Sequence, residues 1–263
     1  KQEGGKLGDL FAFKQDHIFK DWDDVKANAN NRYDAIGELY GPAAWEALKD
    51  KAGKQPIEPG DVCWADLNND GVINNLDRVK VGNLFPTVTG GFSTTLGYKD
   101  FSLYARFDYA LRHTLYNDLA ARSLGQYQGS FNIIDMVKDS WSETNQNTDI
   151  PKFYYADQLS KKNITRSNNG LTAVDNNSSR FYEKGDYLAL REITLTWNLP
   201  KKWINKALMS NASVYVTGQN LFYITGYTGV SPEPAVDTTY GQGLDNGRYP
   251  TPKTVLLGLS VTF

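Results

Sequence analysis

TVLLGLSVTF, residues 254–263, is the stretch that decides the fold of this chain. Apolar side chains occupy every second position of it: Val255, Leu257, Leu259, Val261 and Phe263. This period is typical of a β-strand with one apolar face and one face of mainly small or polar residues. A soluble domain can carry such a strand at its edge, and a membrane β-barrel can end on one, because its last strand pairs with its first. The rest of the chain has to distinguish these alternatives.

Composition excludes several classes of protein. The 263 residues include 28 Lys and Arg against 30 Asp and Glu, so no charge bias points to nucleic acid. Cys63 is the single cysteine, which excludes an internal disulfide framework and a cysteine-rich zinc site. Only His17 and His113 supply imidazoles, so histidine-based catalysis has little to work with.

Hydropathy excludes a helical membrane protein but not a barrel. No apolar run approaches the roughly 18–20 residues that a spanning helix needs. Barrel strands alternate apolar and polar residues, which keeps their mean hydropathy low. Residues 1–6 lack the apolar core of a signal peptide, so an exported protein would have to begin before residue 1.

Residues 1–87 are predicted to form a loop region with short helices. Asp21 can cap a helix that starts at Trp22. Pro42 suits the first turn of another helix, which would stop at Gly53.

The sharpest local motif is DLNNDGVINNLD, residues 66–77. Oxygen-bearing residues at loop positions 1, 3 and 5, a glycine at 6, a backbone carbonyl at 7 and a carboxylate at 12 match the spacing that calcium requires. An aspartate stands where position 12 usually has glutamate, so the loop would have to contract slightly. A metal-free turn rich in Asn, Asp and Gly is the alternative. The predicted ligands are Asp66, Asn68, Asp70, the carbonyl of Val72, and Asp77.

Residues 88–263 are predicted to be strands joined by alternately short and long connections. Strands are expected at 88–98, 101–111, 187–199, 211–224 and 254–263. The apolar parity switches near Arg191-Glu192, as a β-bulge would make it. Strands of about ten residues, tilted near 45°, span the roughly 25 Å apolar band of an outer membrane.

The long connections are residues 112–186 and 225–252, and the short ones are 99–100 and 200–210. Ser130 is predicted to cap a short helix in the first long connection. This alternation favours a barrel with short periplasmic turns and long outer loops. Aromatic residues near the strand ends fit interfacial girdles, with Tyr98, Phe101, Trp197 and Phe263 at one end and Tyr109, Phe222 and Tyr223 at the other.

Ten short motifs occur in consistent order over most of the chain: GDV 60–62, DLNNDGVIN 66–74, DR 77–78, GN 82–83, NTDIP 147–151, DYL 186–188, REITL 191–195, LPKKW 199–203, GQNLF 218–222 and YPTPKT 249–254. Taken together they resemble the C-terminal part of SusC-like TonB-dependent outer-membrane transporters. The set is far more specific than any one member.

The resemblance implies an all-β fold: the C-terminal strands and outer loops of a large transmembrane β-barrel of about 22 strands, with short helices in the loops. Residues 1–87 would be an extracellular loop region containing the calcium loop 66–77, and residues 88–263 would be barrel strands with extracellular loops at 112–186 and 225–252. The chain would then be a portion of a transporter in the outer membrane of a Gram-negative bacterium.

The resemblance also implies partners and a function. The partners would be the remaining N-terminal part of the barrel and its plug, a SusD-like surface lipoprotein, TonB, and outer-membrane lipid. The function would be import of a nutrient, an oligosaccharide or a peptide, without enzymatic activity. The ligand spacing of residues 66–77 separately predicts calcium as the cofactor.

Two other functions stay open from the residues alone. A soluble, calcium-stabilised extracellular module that binds glycans or acts like a dockerin would explain residues 66–77, although a dockerin would repeat that loop. A secreted glycosidase would need paired carboxylates, and no acidic pair stands in a distinctive context.

Overall fold

A computed structural model describes residues 4–28, 32–33, 59–70, 72–73, 75–121, 135–153, 178–233, 243–245, 247 and 249–263. Their strands are β1 Asp9–Phe13, β2 Gln15–Ile18, β3 Arg32–Tyr33, β4 Val62–Trp64, β5 Val72–Ile73, β6 Arg78–Asn83, β7 Val88–Tyr98, β8 Phe101–Leu111, β9 Thr114–Asn117, β10 Tyr182–Lys184, β11 Tyr187–Asn198, β12 Asn211–Thr225, β13 Leu244–Asp245 and β14 Thr254–Thr262. The helices are α1 Trp22–Ala27, α2 Asp118–Ala121 and α3 Lys201–Ile204.

Short 3₁₀ turns lie at Asn75–Asp77, Asp135–Asp139, Ser179–Phe181 and Asn205–Ala207. Within the described ranges, no helix combines the length and the apolar character required to cross a membrane. The secondary structure is therefore mainly β, as the sequence predicts.

The chain forms two compact units. One unit, here called the loop unit, comprises Lys1–Asn83, Tyr116–Glu183 and Leu244–Gly247. The other, the sheet unit, comprises Leu84–Leu115, Lys184–Gly243 and Arg248–Phe263. The predicted boundary at residue 87, and the assignment of the two long connections to the outer side, stay predictions.

The sheet unit is built on five antiparallel strands in the order β14-β12-β11-β8-β7, each pairing with its neighbour along the sequence. The first hairpin has the predicted bounds, because alternating side chains and the two-residue turn at Lys99-Asp100 fix its register. Lys99 adopts the left-handed conformation that such a tight turn requires (φ 51°). The other three strands begin where predicted and end within one residue of the predicted bound.

The predicted bulge is present in the middle of β11. Leu190 pairs with Phe107 of β8, and Glu192 pairs with Arg106, so Arg191 is an extra residue between two consecutive partners. Because an inserted residue reverses which parity faces each side, Leu188 and Leu190 share a face with Ile193.

The loop unit contains small sheets and short helices. Its strand pairs are β1–β6, β2–β4 and β3–β5, and a three-stranded sheet has the order β10-β9-β13. A core cluster joins Tyr116, Ala121, Ile150 and Phe181. Asp21 caps α1 as predicted, since its Oδ1 accepts the backbone N–H groups of Asp23 and Asp24 at 3.0 and 2.9 Å.

Gly60, in the GDV motif, must be glycine. Its φ is +93°, and an added Cβ would lie 2.6 Å from both the Trp141 ring and Cβ of Lys152. Its N–H and C=O bond Phe19 and Lys152 at 2.8 Å each, so this glycine lets three segments approach closely.

Two predicted helices are only partly testable. The predicted helix at 42–53 lies outside the described residues, as does the predicted cap Ser130. The helix that Ser130 was predicted to cap is described only in part. Its described residues include the 3₁₀ turn Asp135–Asp139, whose Val137 packs against the core cluster.

Candidate functional site

The predicted calcium loop lies in the loop unit, between β4 and β6. Asn68 and Asp70 are brought together, with Nδ2 of Asn68 donating to Oδ2 of Asp70 at 2.8 Å and Oδ1 of Asn68 accepting the Asp70 N–H at 3.1 Å. Asn69 between them is left-handed (φ 58°), which turns the chain tightly. Two positions of the loop, 71 and 74, lie outside the described residues.

The two ends of the predicted calcium loop meet through Asp77. This carboxylate is fully buried, and its Oδ1 accepts the backbone N–H of Leu67 at 2.9 Å. Asp66 is half-buried beside Leu67, whereas Asn68 and Asp70 are exposed. The loop therefore closes on itself, with one acidic residue inside and polar side chains toward solvent.

Strand β6 begins directly after Asp77 and is anchored to β1. The Asp9 carboxylate accepts from Nζ of Lys80 at 2.7 Å and from Nδ2 of Asn83 at 2.8 Å. These two partners hold the pKa of Asp9 at about 2, below its ordinary 3.8. Since a lowered pKa means that the anchor favours the ionised carboxylate, its contribution is complete above about pH 4 and is lost as the pH falls through 2.

The sheet unit has one continuous apolar face. Residues of one parity pair across all five strands, so that each strand contributes a side chain to the same row. The central row is Leu96, Leu103, Leu195, Val216 and Leu257. Four of these side chains are exposed, at 62% for Leu96, 49% for Leu195, 45% for Val216 and 77% for Leu257. An exposed apolar surface of this extent marks a contact with lipid or protein.

Aromatic rings gather where this apolar face meets the short connections. Phe101 and Trp197 stack at 6.0 Å between ring centroids, and Trp203 of α3 packs edge-on against Trp197 at 5.9 Å. Tyr98 pairs with Phe101 in the same row. These contacts place Tyr98, Phe101 and Trp197, three of the four predicted aromatics at this end, on one face of the sheet.

The opposite face of the sheet is polar. Its rows contain threonine, serine, tyrosine and charged residues, and the hydroxyls of Thr194 and Thr217 lie 2.8 Å apart. Arg106 and Glu192 pair across β8 and β11, with 4.0 Å between Nη2 and Oε2. The sheet therefore separates an apolar side from a side that suits water.

The bulge aims Arg191 into a charged cluster. Its guanidinium donates to both oxygens of Asp108, at 2.5 Å from Nε and 2.9 Å from Nη2. Nη1 donates to Oη of Tyr223 at 3.0 Å, and Nη2 pairs with Glu233. Tyr223 in turn donates to Glu233 at 2.8 Å. This cluster ties Glu233, which follows β12 in the long connection, to two strands of the sheet.

The structure corrects the assignment of Tyr223 to the predicted aromatic girdle. The tyrosine pairs with Ala189 and bonds Arg191 and Glu233, so it lies in the charged cluster on the polar face. Phe222, one residue earlier, pairs with Leu190 on the apolar face, as predicted. The sequence held no signal for the role of Glu233, because a single glutamate in an irregular segment has no pattern.

No protein-family model matches the chain. Among curated proteins it is 31% identical over 243 residues to TonB-dependent receptor P3 of Formosa agariphila, which covers 88% of this chain and 22% of that receptor. It is 25% identical over 265 residues to TonB-dependent receptor SusC of Bacteroides thetaiotaomicron, covering all of this chain and 23% of SusC. The chain thus spans about a fifth to a quarter of the length of these relatives.

Solved structures share the fold. The RagAB peptide importer in its open-open state superposes with a TM-score of 0.59 at 21% identity, covering 97% of this chain and 22% of that one. The RagAB peptide transporter gives 0.58 at 24% identity over 78% of this chain and 21% of that one. The five-stranded sheet is accordingly a section of a large barrel, and the chain belongs to the SusC-like TonB-dependent receptors as a portion of such a protein.

Proposed function

We propose that the chain forms part of the wall and outer loops of an outer-membrane transporter that imports a nutrient, an oligosaccharide or a peptide, into a Gram-negative bacterium. The observation that carries this proposal is the apolar face that crosses all five strands, opposite a polar face. In a barrel wall, the apolar side faces lipid and the polar side faces a water-filled interior. A soluble glycan-binding module would have to cover that surface, and the described residues supply no cover for its central row.

Both edge strands support this proposal. Strands β7 and β14 each pair on one side only within the described residues. An unpaired edge is not tolerated in lipid, because its N–H and C=O groups would lack partners. We assign the missing pairing to the remaining N-terminal part of the barrel, which would also supply the plug and the contact with TonB.

The long connections at 112–186 and 225–252 are proposed to face a SusD-like surface lipoprotein and the cargo. Loops well beyond the length needed to join adjacent strands commonly carry binding functions. Exposed apolar side chains are present in both, at Met136 and Val230. We propose no catalytic role for the chain.

Photo-cross-linking in cells tests the orientation, the partner and the cargo together. A photoreactive residue at Met136 or Val230 of the full-length transporter is expected to capture a surface lipoprotein, and to capture labelled oligosaccharide or peptide when that cargo is added. The same residue at Leu257 serves as the matched control, and it should capture lipid alone. Import of the labelled cargo should require TonB. Capture of only lipid or periplasmic proteins from Met136 and Val230 would contradict the assignment of these loops.

Calcium is proposed as a structural ion of residues 66–77. The donor set fits, because the loop offers carboxylate, amide and backbone oxygens and no sulfur or imidazole. Asp66, Asn68, Asp70, the carbonyl of Val72, and Asp77 would hold the ion. The loop closure between Leu67 and Asp77 already brings position 12 back to the start of the loop. A bound ion would fix the start of β6 and would supply no chemistry beyond that.

Asp70→Ala is expected to weaken calcium binding roughly tenfold or more, because it removes one negative ligand from the set. The barrel should stay inserted, since residue 70 lies in the loop unit. Calorimetry of the full-length transporter measures the change. Asp139→Ala is the matched control, as it removes an exposed carboxylate elsewhere in the same unit. Equal calcium affinity in Asp70→Ala and the parent, or no uptake of calcium at saturation, would rule out this site.

A further inference from the structure

A second group of metal-ligating side chains lies apart from the calcium loop, on strands β2 and β4. Asp16, His17 and Cys63 each offer a ligand atom, and these three atoms lie within 4.8 Å of one another. The group uses the single cysteine of the sequence and one of its two histidines. It combines oxygen, nitrogen and sulfur, which calcium sites do not.

A bulge in β2 creates this arrangement. Gln15 pairs with Trp64, and His17 pairs with Cys63, so Asp16 is an extra residue opposite two consecutive partners. A regular strand would direct Asp16 and His17 to opposite faces of the sheet. The inserted residue re-aims the side chain, which lets two neighbours in sequence approach Cys63 together.

The surroundings of His17 match those of a metal-bound imidazole. Its Nε2 lies 3.3 Å from Oδ1 of Asp24. Its Nδ1 lies 2.8 Å from Oδ2 of Asp16, a hydrogen bond that a metal held by both groups would replace. Metal-bound histidines usually donate the second ring N–H to a carboxylate, which fixes the tautomer and the ring orientation. Asp24 is held for this role, because its oxygens also accept from Lys20 N–H at 2.9 Å and from Asn28 Nδ2 at 3.0 Å.

The group has one buried side and one side that is open to solvent. Cys63 is 3% exposed, whereas the His17 side chain is 34% exposed. The ring of Phe19 packs edge-on against His17 at 5.5 Å between centroids. A metal here would have an apolar wall behind it and an opening to solvent for a fourth, exchangeable ligand.

We propose that Asp16, His17 and Cys63 bind a borderline-soft divalent cation of the Zn²⁺ class, with Asp24 positioning the imidazole. Nδ1 of His17 is the ligand atom, because Nε2 faces Asp24. Binding releases the thiol proton of Cys63 to solvent and leaves a metal-bound thiolate. The site would join β2, β4 and α1 through Asp16, His17, Cys63 and Asp24.

Co²⁺ titration of the metal-stripped, full-length transporter tests this site. Cobalt substitutes for zinc and reports a cysteine ligand through its thiolate-to-cobalt absorption band. The parent protein is expected to show the band, and Cys63→Ser is expected to lose it. Asp24→Asn should keep the band but bind Co²⁺ about 10–100-fold more weakly, since it removes only the support of the imidazole. Asp23→Asn, one residue away on the same helix, is the matched control and should bind as the parent does.

His17→Gln keeps the test decisive if Cys63→Ser fails to fold, because His17 is partly exposed and its loss should spare the core. His17→Gln is expected to lose high-affinity binding. A parent protein that shows no thiolate band at millimolar Co²⁺, or an unchanged titration in His17→Gln, would overturn the proposal. The cluster would then be a salt-bridged histidine between two aspartates and nothing more.

Discussion

Leu257→Arg and Leu259→Arg are each expected to cost roughly 2–4 kcal/mol of folding free energy in the full-length transporter if they lie near the bilayer midplane. The two leucines flank Gly258 at the centre of β14, and they are 77% and 65% exposed. Each would drive a guanidinium into hydrocarbon. Ser260→Arg, on the opposite parity, should cost far less, because the water-filled interior would hydrate the charge.

The pairing register shows that the arginine substitutions at positions 259 and 260 would probe opposite faces of the same strand. Leu257 lies in the central apolar row, and Leu259 pairs with Val214 in the adjacent row of the same face. Ser260 pairs with Ser213 on the polar face. Because residues 259 and 260 are neighbours at nearly equal depth, the difference between them reports only which way the side chain points.

Refolding into lipid vesicles, with heat-resistant migration and urea titration as readouts, measures the difference. Leu256→Arg is a second control, since residue 256 also lies on the polar parity and is itself apolar. Equal tolerance of arginine at positions 259 and 260 would mean that the strand has no lipid face. The soluble-module alternative would then be favoured.

The strands could be predicted from sequence because their signal is local. Side chains alternate over ten or more residues, and a two-residue turn fixes the first hairpin. Even the bulge was visible, since the apolar parity of β11 changes between Leu190 and Ile193. The alternation of apolar and polar residues indicates which side of the sheet each residue faces. A switch in the parity of the apolar positions indicates an inserted residue.

Tyr223 shows that a position near a strand end does not by itself assign an aromatic residue to the girdle. Two residues of β12, Asn220 and Leu221, lie between the pairs Gln219–Glu192 and Phe222–Leu190. Because two extra residues leave the parity unchanged, Phe222 keeps the face of Val214 and Val216, and Tyr223 takes the opposite, polar face. Alternation along the strand therefore indicates the face of Tyr223, whereas its partners Arg191 and Glu233 could be found only from the structure.

The clusters around Arg191 and around Cys63 could not be predicted from the sequence, for a different reason. Arg191 and Glu233 are separated by 42 residues, and Cys63 is brought to His17 only by strand pairing. Neither cluster repeats a fixed spacing in sequence. The calcium site could at least be proposed from sequence, and it stays a prediction, because all its predicted ligands lie within one continuous segment of twelve residues.

Arg191→Met is expected to destabilise the sheet unit by about 1.5–3 kcal/mol, the range for hydrogen bonds to charged groups. The Arg191 side chain is 18% exposed, against 37% for Asp108 and 31% for Glu233, so the pairs are only partly screened by water. Removing the guanidinium leaves two carboxylates close together without their shared cation. Both the sheet and the segment that carries Glu233 should loosen.

Arg106→Met is the matched control. Arg106 lies on the same polar face and pairs with Glu192, but its ion pair is 4.0 Å long and its side chain is 54% exposed. Exposed pairs of this kind contribute about 0–1 kcal/mol. Hydrogen exchange of residues 226–233 in the full-length transporter should therefore rise in Arg191→Met and stay unchanged in Arg106→Met.

A double-mutant cycle separates the Arg191–Glu233 contact from general damage to β11. Glu233→Gln keeps the shape of the side chain and removes its charge, and Arg191→Met removes the shared cation. If the contact ties the long connection to the wall, the two changes should couple by about 1 kcal/mol or more in unfolding free energy. Additive effects, with unchanged exchange at 226–233, would show that Arg191 stabilises only the bulge through Asp108. The connection after β12 would then be held by contacts other than this cluster.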